Sequence, residues 1–168
     1  MGNYVSPSYP GQVFLYQTPP LPLPQTANKT LFTFNAAGNP GGGGRAKVLS
    51  IVGLITTAIG AVANATKLTA FTYTAAGVIN TGVDMCATLD INALTADEAL
   101  NISGTLASAM LNNAYGVLIA QATAIDLAFI AQAVIQVNCA GSDGGTGRIQ
   151  WFLEVETTYG CVVNAANS

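Results

Sequence analysis

Histidine is absent from this chain of 168 residues. That removes the commonest general base and the commonest metal ligand together. Ser-His-Asp and Cys-His arrangements are therefore excluded. Charge is nearly as scarce: Asp, Glu, Lys and Arg make up 8% of the residues, against roughly 25% in an ordinary globular domain. Surfaces so poor in charge are expected on proteins that work packed against others, since charge is what keeps free-standing surfaces apart. Secreted and shell-forming proteins share that composition. The five cations, Lys29, Arg45, Lys47, Lys67 and Arg148, are scattered and the net charge is −3, so no phosphate-neutralising surface is expected and nucleic acid is not among the expected partners.

The three cysteines, Cys86, Cys139 and Cys161, form no C-x-x-C pair and have no histidine to complete a zinc set. Reduced thiols behaving as small apolar residues are expected. A Cys139–Cys161 disulfide is the alternative if those positions fall on adjacent strands. The opening "MGNYVSPSYP" has neither a basic start nor an apolar run, so a secretory signal is not expected there. Its fit to the myristoylation pattern through Gly2 and Ser6 is read as chance, as are the glycosylation sequons at Asn28, Asn64 and Asn101.

What is present is apolar and extended. Apolar residues make up 51%, enough for one domain with its own core. Residues 1–44 differ in kind from the rest. "PSYPGQVFLYQTPPLPLPQTANKT" carries six of the seven prolines, which excludes helix and disfavours a central strand. "PPLPLP" is expected as polyproline II. The interleaved Tyr4, Tyr9, Phe14 and Tyr16 are not the residues of a solvated linker. They are the candidate partner-binding residues of an extended arm lying on a neighbour, or of an arm wrapped around its own domain. The glycines of "NPGGGGR" form a flexible joint, which places a β-body at residues 45–168.

Within that body the pattern has period two. Val48 to Ala65 is free of charge over 18 residues, the lower limit of a membrane helix. Its Thr, Ser, Gly and Asn content and its β-branched residues point instead to a strand, a bend near Gly60 and a second strand "NATKLTAFTYT". No membrane partner is expected. In "VDMCATLDIN", Val83, Met85, Ala87, Leu89 and Ile91 alternate with Asp84, Cys86, Thr88, Asp90 and Asn92, as in one half-buried strand. "TADE" reads as a capping box from Thr95 to Glu98, hence a helical turn near 95–100; "ALNISGTLA" as a strand is the alternative. In "CAGSDGGTGRIQWFLEV" period two runs on both sides of a Gly/Asp loop. A phosphate loop needs a helix after it, whereas Ile149, Trp151, Leu153 and Val155 form a strand. The stretch reads as a hairpin turn.

Three carboxylate pairs are candidates for acid–base work: Asp84 with Asp90, Asp97 with Glu98, and Glu154 with Glu156. The strand pairs lie on polar strand faces, where acids keep a sheet soluble. Asp143 reads as a turn residue with too few oxygen neighbours for calcium. No catalytic, metal or cofactor site is expected, and the protein is not expected to be an enzyme.

The order of "RAKVLSIVGLITTAIGAVANATKLTA", "VDMCATLDIN", "NISGTLASAM" and "VNCAGSDGGTGRIQWFLEVE" resembles a loose group of tailed-bacteriophage virion proteins, over roughly residues 45–166. In that group a valine-rich strand leads to an "ANATKL"-like hairpin, a "DLCATLDI"-like strand, a "SITGT" segment and a closing tryptophan strand. The arginine-tyrosine-proline wording usual after that strand is replaced here by "EVETTYG". The resemblance implies a structural component of the particle. Together with the composition it leads to a mainly β protein, an antiparallel β-sandwich or barrel with an extended Pro-rich arm. The expected role is a capsid decoration or cement protein that binds the major capsid protein and forms a homo-oligomer, with a trimer implied by threefold lattice positions. A tail, neck or fibre component is the alternative, as is a carbohydrate-binding or hydrolytic β-sandwich.

Overall fold

The computed structural model describes residues 12–24, 27–34, 46–72, 82–102, 107–113, 128–129, 133–141, 146–157 and 161–167. All regular structure among them is β, arranged as two antiparallel sheets with a shared core and no closed barrel. The strands are β1 (Gln12–Gln17), β2 (Leu21–Pro22), β3 (Asn28–Phe34), β4 (Ala46–Thr57), β5 (Asn64–Thr72), β6 (Val83–Asp84) and β7 (Leu89–Asp90). They continue with β8 (Ala99–Asn101), β9 (Leu111–Asn113), β10 (Ala128–Phe129), β11 (Ala133–Gly141), β12 (Arg148–Thr157) and β13 (Val163–Ala165). The first sheet runs β1-β12-β4-β8-β9, with β2 on β12 and β10 on β4. The second runs β13-β3-β11-β5-β6, with β7 also on β5.

The core lies between the sheets and follows from strand periodicity. On β12, Ile149, Trp151, Leu153 and Val155 are all at most 1% exposed. On β4, Ala46, Val48, Ile51, Gly53 and Ile55 point the same way. The step from Val48 to Ile51 breaks period two, and a register shift opposite Glu154/Val155 absorbs the extra residue. A second irregularity, opposite Ile135/Gln136, lets β3 bury Leu31 and Phe32 in succession. From the other sheet, Phe32, Phe34, Leu68, Ile135 and Val137 complete the layer.

Several sequence expectations are corrected here. The strands do not begin after the glycine joint. β1, β2 and β3 all precede it, and β3 is an inner strand between β13 and β11. Leu31, Phe32 and Phe34 are each fully buried, so β1, β2 and β3 pair into the β-body, in line with the alternative of an arm wrapped around its own domain. No proline falls between Pro24 and Pro40, which leaves "NKTLFTF" all its backbone donors. "PPLPLP" is extended with period two: Leu21 and Leu23 face the core, and the Leu23 N–H donates to the Gly147 carbonyl. Alternation lets the leucines carry the donors while the prolines, which have none, face away. Tyr4, Tyr9 and the glycines of the joint lie outside the described residues.

The strands flanking the Gly/Asp loop do not form a hairpin. β11 pairs with β3 and β5, β12 with β1, β2 and β4. The chain crosses from one sheet to the other between them. Both strands bury one face, and period two reports that face but not the partner. "VDMCATLDIN" is two short strands, not one: Asp84 opposes Thr69 and Asp90 opposes Ala65 on β5. Between them the backbone leaves the sheet, so Met85 and Cys86 are both buried while Val83 is 49% exposed. Thr95 and Glu98 form half a capping box, the Glu98 carboxylate accepting from the Thr95 N–H at 2.8 Å. A turn with Asp97 at φ 71° leads straight into β8, and no helix follows.

Candidate interaction surface

The two outer faces of the sandwich differ in chemistry. On the second sheet the outward positions of β5 and β11 hold a polar set, Lys67, Thr69, Gln136 and Asn138, beside an apolar pair, Phe71 opposite Val134. Lys67 Nζ donates to Asp84 Oδ2 at 2.6 Å, Thr69 Oγ1 to Asp84 Oδ1 at 2.9 Å, and Asn138 Nδ2 to Thr69 Oγ1 at 2.5 Å. Gln136 Nε2 donates to Thr30 Oγ1 at 3.3 Å. The Lys67 ammonium holds the Asp84 carboxyl below its ordinary value; burial opposes it in part, and the Thr69 hydroxyl adds a smaller lowering.

The first sheet turns apolar side chains outward. Leu15, Glu154 and Ser50 lie in one cross-strand row; Gln17, Phe152 and Val52 lie in the next. Leu54 pairs with Ala99 of β8. These rows line a groove of about 410 Å³ walled by Leu15, Val52, Leu54, Ala99 and Phe152, with Ser50 and Glu154 as its polar members. Lys47 opposes Glu156 at its end. Period two in β12 and β4 is what places these residues outward: the same alternation that buries Trp151 exposes Phe152.

At the rim of this face β1 is the last strand of its sheet among the described residues. Val13, Phe14 and Leu15 are 55%, 40% and 68% exposed, an unusual run for a strand with no charged residue. Of the residues singled out in the sequence, Phe14 and Tyr16 both sit here. Their rings lie 6.3 Å apart, tilted by 44°. They share the inner side of β1, across from Val155 and Leu153. Tyr16 packs against the core, and burial, followed by the nearby Cys161 thiol, raises its phenol above the ordinary value. Val13 and Leu15, on the opposite side, are more exposed than either aromatic and were not singled out. Their alternation with Phe14 and Tyr16 was the available signal.

The carboxylate pairs are held apart or engaged locally. Asp84 and Asp90 oppose positions four residues apart on β5, which is roughly 13 Å along a strand. Asp90 Oδ1 accepts from the Asn64 and Asn92 N–H groups at 2.9 and 3.1 Å. Asp97 lies in the turn whose Glu98 accepts from Thr95. Glu154 and Glu156 lie on the outer face of β12, across from Ser50 and Lys47. Asp143 lies outside the described residues. Trp151 is 1% exposed and presents no platform for a sugar ring. The three cysteines are not joined by a disulfide, Cys86 and Cys139 being buried and Cys161 half-buried; β3 lies between β11, which carries Cys139, and β13, which follows Cys161. Of the sequons, Asn64 and Asn101 are buried and Asn28 is exposed.

The sequence matches no protein-family model and no curated protein. Among solved structures, a chain of the T13 IBDV viral particle, described as revealing a missing link in icosahedral virus evolution, is similar at 10% identity and a TM-score of 0.33. The match covers all of this chain and 40% of that one.

Proposed function

We propose that the chain is a non-enzymatic virion structural protein, a capsid decoration or cement protein that binds the head of a tailed bacteriophage and stabilises it. The observation that carries this reading is the contrast between the two outer faces. The second sheet carries an ion-paired patch, Lys67 with Asp84, both partly exposed, which has the chemistry of a solvent-facing surface. A first sheet with an apolar groove and an uncharged edge has the chemistry of a surface that is covered in use. The low charge of the whole chain and its resemblance to phage virion proteins support the same reading.

Attachment then comes from burial. Covering Leu15, Val52, Leu54 and Phe152 contributes about 1 kcal/mol for each half-exposed side chain. A lattice multiplies that modest contact over many copies. The polar face is left toward solvent, which suits a protein on the outside of a shell. The partner is the major capsid protein, met by shape and apolar contact.

Co-sedimentation with purified heads that lack the protein tests this. The chain is expected to bind and to raise the temperature at which heads release DNA. Phe152→Asp and Leu54→Asp are expected to bind at least roughly tenfold more weakly, since each places a charge in a desolvated contact. Failure to bind heads, or binding indifferent to both substitutions, overturns the proposal.

A further inference from the structure

The long free edge of the sandwich also has a definite phase. The Thr18 N–H donates to the Trp151 carbonyl at 2.9 Å, and Thr18 follows β1 in register with β12. In an antiparallel pair, one residue turns both its N–H and its C=O to the same side, and its neighbour turns them to the other. Even-numbered residues of β1 therefore bond β12. Val13, Leu15 and Gln17 direct their N–H and C=O groups away from it, to the side where β1 has no strand partner among the described residues.

Edges of this kind are normally blunted by Lys, Pro, a bulge or shortness. β9 and β13, ends of the same two sheets, are three residues long each. β1 has six residues, no charge, no proline and no irregularity in its register. We propose that β1 pairs antiparallel with β1 of a second copy across a twofold axis, in the register that sets Leu15 opposite Leu15.

The register follows from geometry. A twofold relating antiparallel strands stands normal to the sheet and keeps every side chain on its own face. A residue can then oppose only one of the same parity. Among those registers, the one centred on Leu15 matches Val13 with Gln17, Leu15 with itself and Gln17 with Val13, so all three outward-directed residues exchange hydrogen bonds. Moving the centre to Phe14 or Tyr16 leaves one of the three unmatched. On the inner side this register sets Phe14 against Tyr16 of the second copy, at the close spacing of a non-hydrogen-bonded pair that suits aromatic contact.

Charge and continuity favour a second copy as the occupant. No charged side chain lies within Gln12–Gln17, so the strand meets no like charge in its own image. Leu15 also lines the apolar groove, and two copies joined at Leu15 bring their two grooves side by side across the shared edge. The contact is small: one strand from each copy buries well under the ~1,200 Å² of a standard interface. It is therefore weak between free molecules and effective where a lattice already holds copies close. It is a twofold contact, distinct from the threefold that the phage resemblance implies.

The test uses the full chain. Sedimentation velocity up to about 1 mM is expected to show a reversible monomer–dimer equilibrium. Leu15→Lys sets two ammonium groups opposite each other and is expected to raise the dissociation constant at least roughly tenfold. Val62→Lys, equally surface-placed at 53% exposure but off the edge, is expected to leave it unchanged. Leu15 is 68% exposed, so an unaltered melting temperature verifies that Leu15→Lys still folds. Leu15→Cys, treated with oxidised glutathione, is expected to give a covalent dimer whose peptide map joins the two introduced thiols, since hydrogen-bonded pairs bring Cα atoms to about 5.5 Å. A chain monomeric throughout, or a self-association indifferent to Leu15→Lys with no such cross-link, overturns the proposal. Loss of this contact with head binding intact removes the edge pairing alone; dimers that ignore heads remove the decoration reading alone.

Discussion

Trp151 on β12 stands directly opposite Gly53 on β4, and its ring occupies the space a side chain at Gly53 would need. A Cβ built on Gly53 would lie 2.8 Å from Trp151 Cζ3 and 2.9 Å from Ile149 Cγ2. The glycine is a packing requirement of the largest buried side chain in the core. Gly53→Ala is expected to destabilise the fold by about 1–3 kcal/mol, the usual cost of overpacking, read as a lower denaturation midpoint in urea.

Removing the other member has the opposite steric sense and a larger cost. Trp151→Ala is expected to cost roughly 3–5 kcal/mol by emptying an aromatic site. As the single tryptophan, Trp151 is expected to fluoresce at blue-shifted wavelength in the native protein and to shift red on unfolding. Hydrated emission from the native state would contradict its placement.

Deletion of residues 1–40 is expected to abolish cooperative folding, because it removes β1, β2 and β3 and with them Leu31, Phe32 and Phe34. Phe32→Ala alone is expected to cost about 3–5 kcal/mol. A truncated chain with a sharp thermal melt would restore the reading of this region as a separate arm.

The Lys67–Asp84–Thr69 cluster supplies a pH test. The Asp84 carboxyl is held below its ordinary value in the folded state, so its contribution is complete above about pH 4, the unfolded value. It is lost as pH falls through the lower folded value. The pair is exposed, which keeps the effect small and salt-sensitive. Asp84→Asn is expected to lower the melting temperature slightly at pH 7, and to show a smaller further loss than the native protein between pH 4 and pH 2.

Burial pushes the thiols of Cys86 and Cys161 above the ordinary value, and Cys139 is 6% exposed beside the Thr66 hydroxyl. A thiol reagent at pH 8 is expected to reach half-buried Cys161 first, and Cys86 and Cys139 only on unfolding. Rapid native-state labelling of Cys86 would contradict its burial beside Leu68 of β5.

The β class was legible because alternation reports a buried face directly, as in Ile149–Val155 and in Ile135–Cys139. Strand partners were not legible, because two strands with inward apolar faces read alike whether they share a sheet or face each other across the core; β11 and β12 are the case in point. β3 was obscured by the prolines before it, though "NKTLFTF" has none. The interaction surface was half legible. Phe14 and Tyr16 stood out as aromatics in a proline-rich stretch. The more exposed Val13 and Leu15, and the groove residues Val52, Leu54 and Phe152, gained meaning only once β1, β12 and β4 lay side by side.

Cryo-electron microscopy of the particles that contain the protein locates it outright. A two-sheet sandwich is expected on the outer surface of the head, with the groove of Leu15, Val52, Leu54 and Phe152 against the shell and the Lys67–Asp84 face toward solvent. A sandwich located in the tail, or one on the head whose apolar face points to solvent, would contradict it.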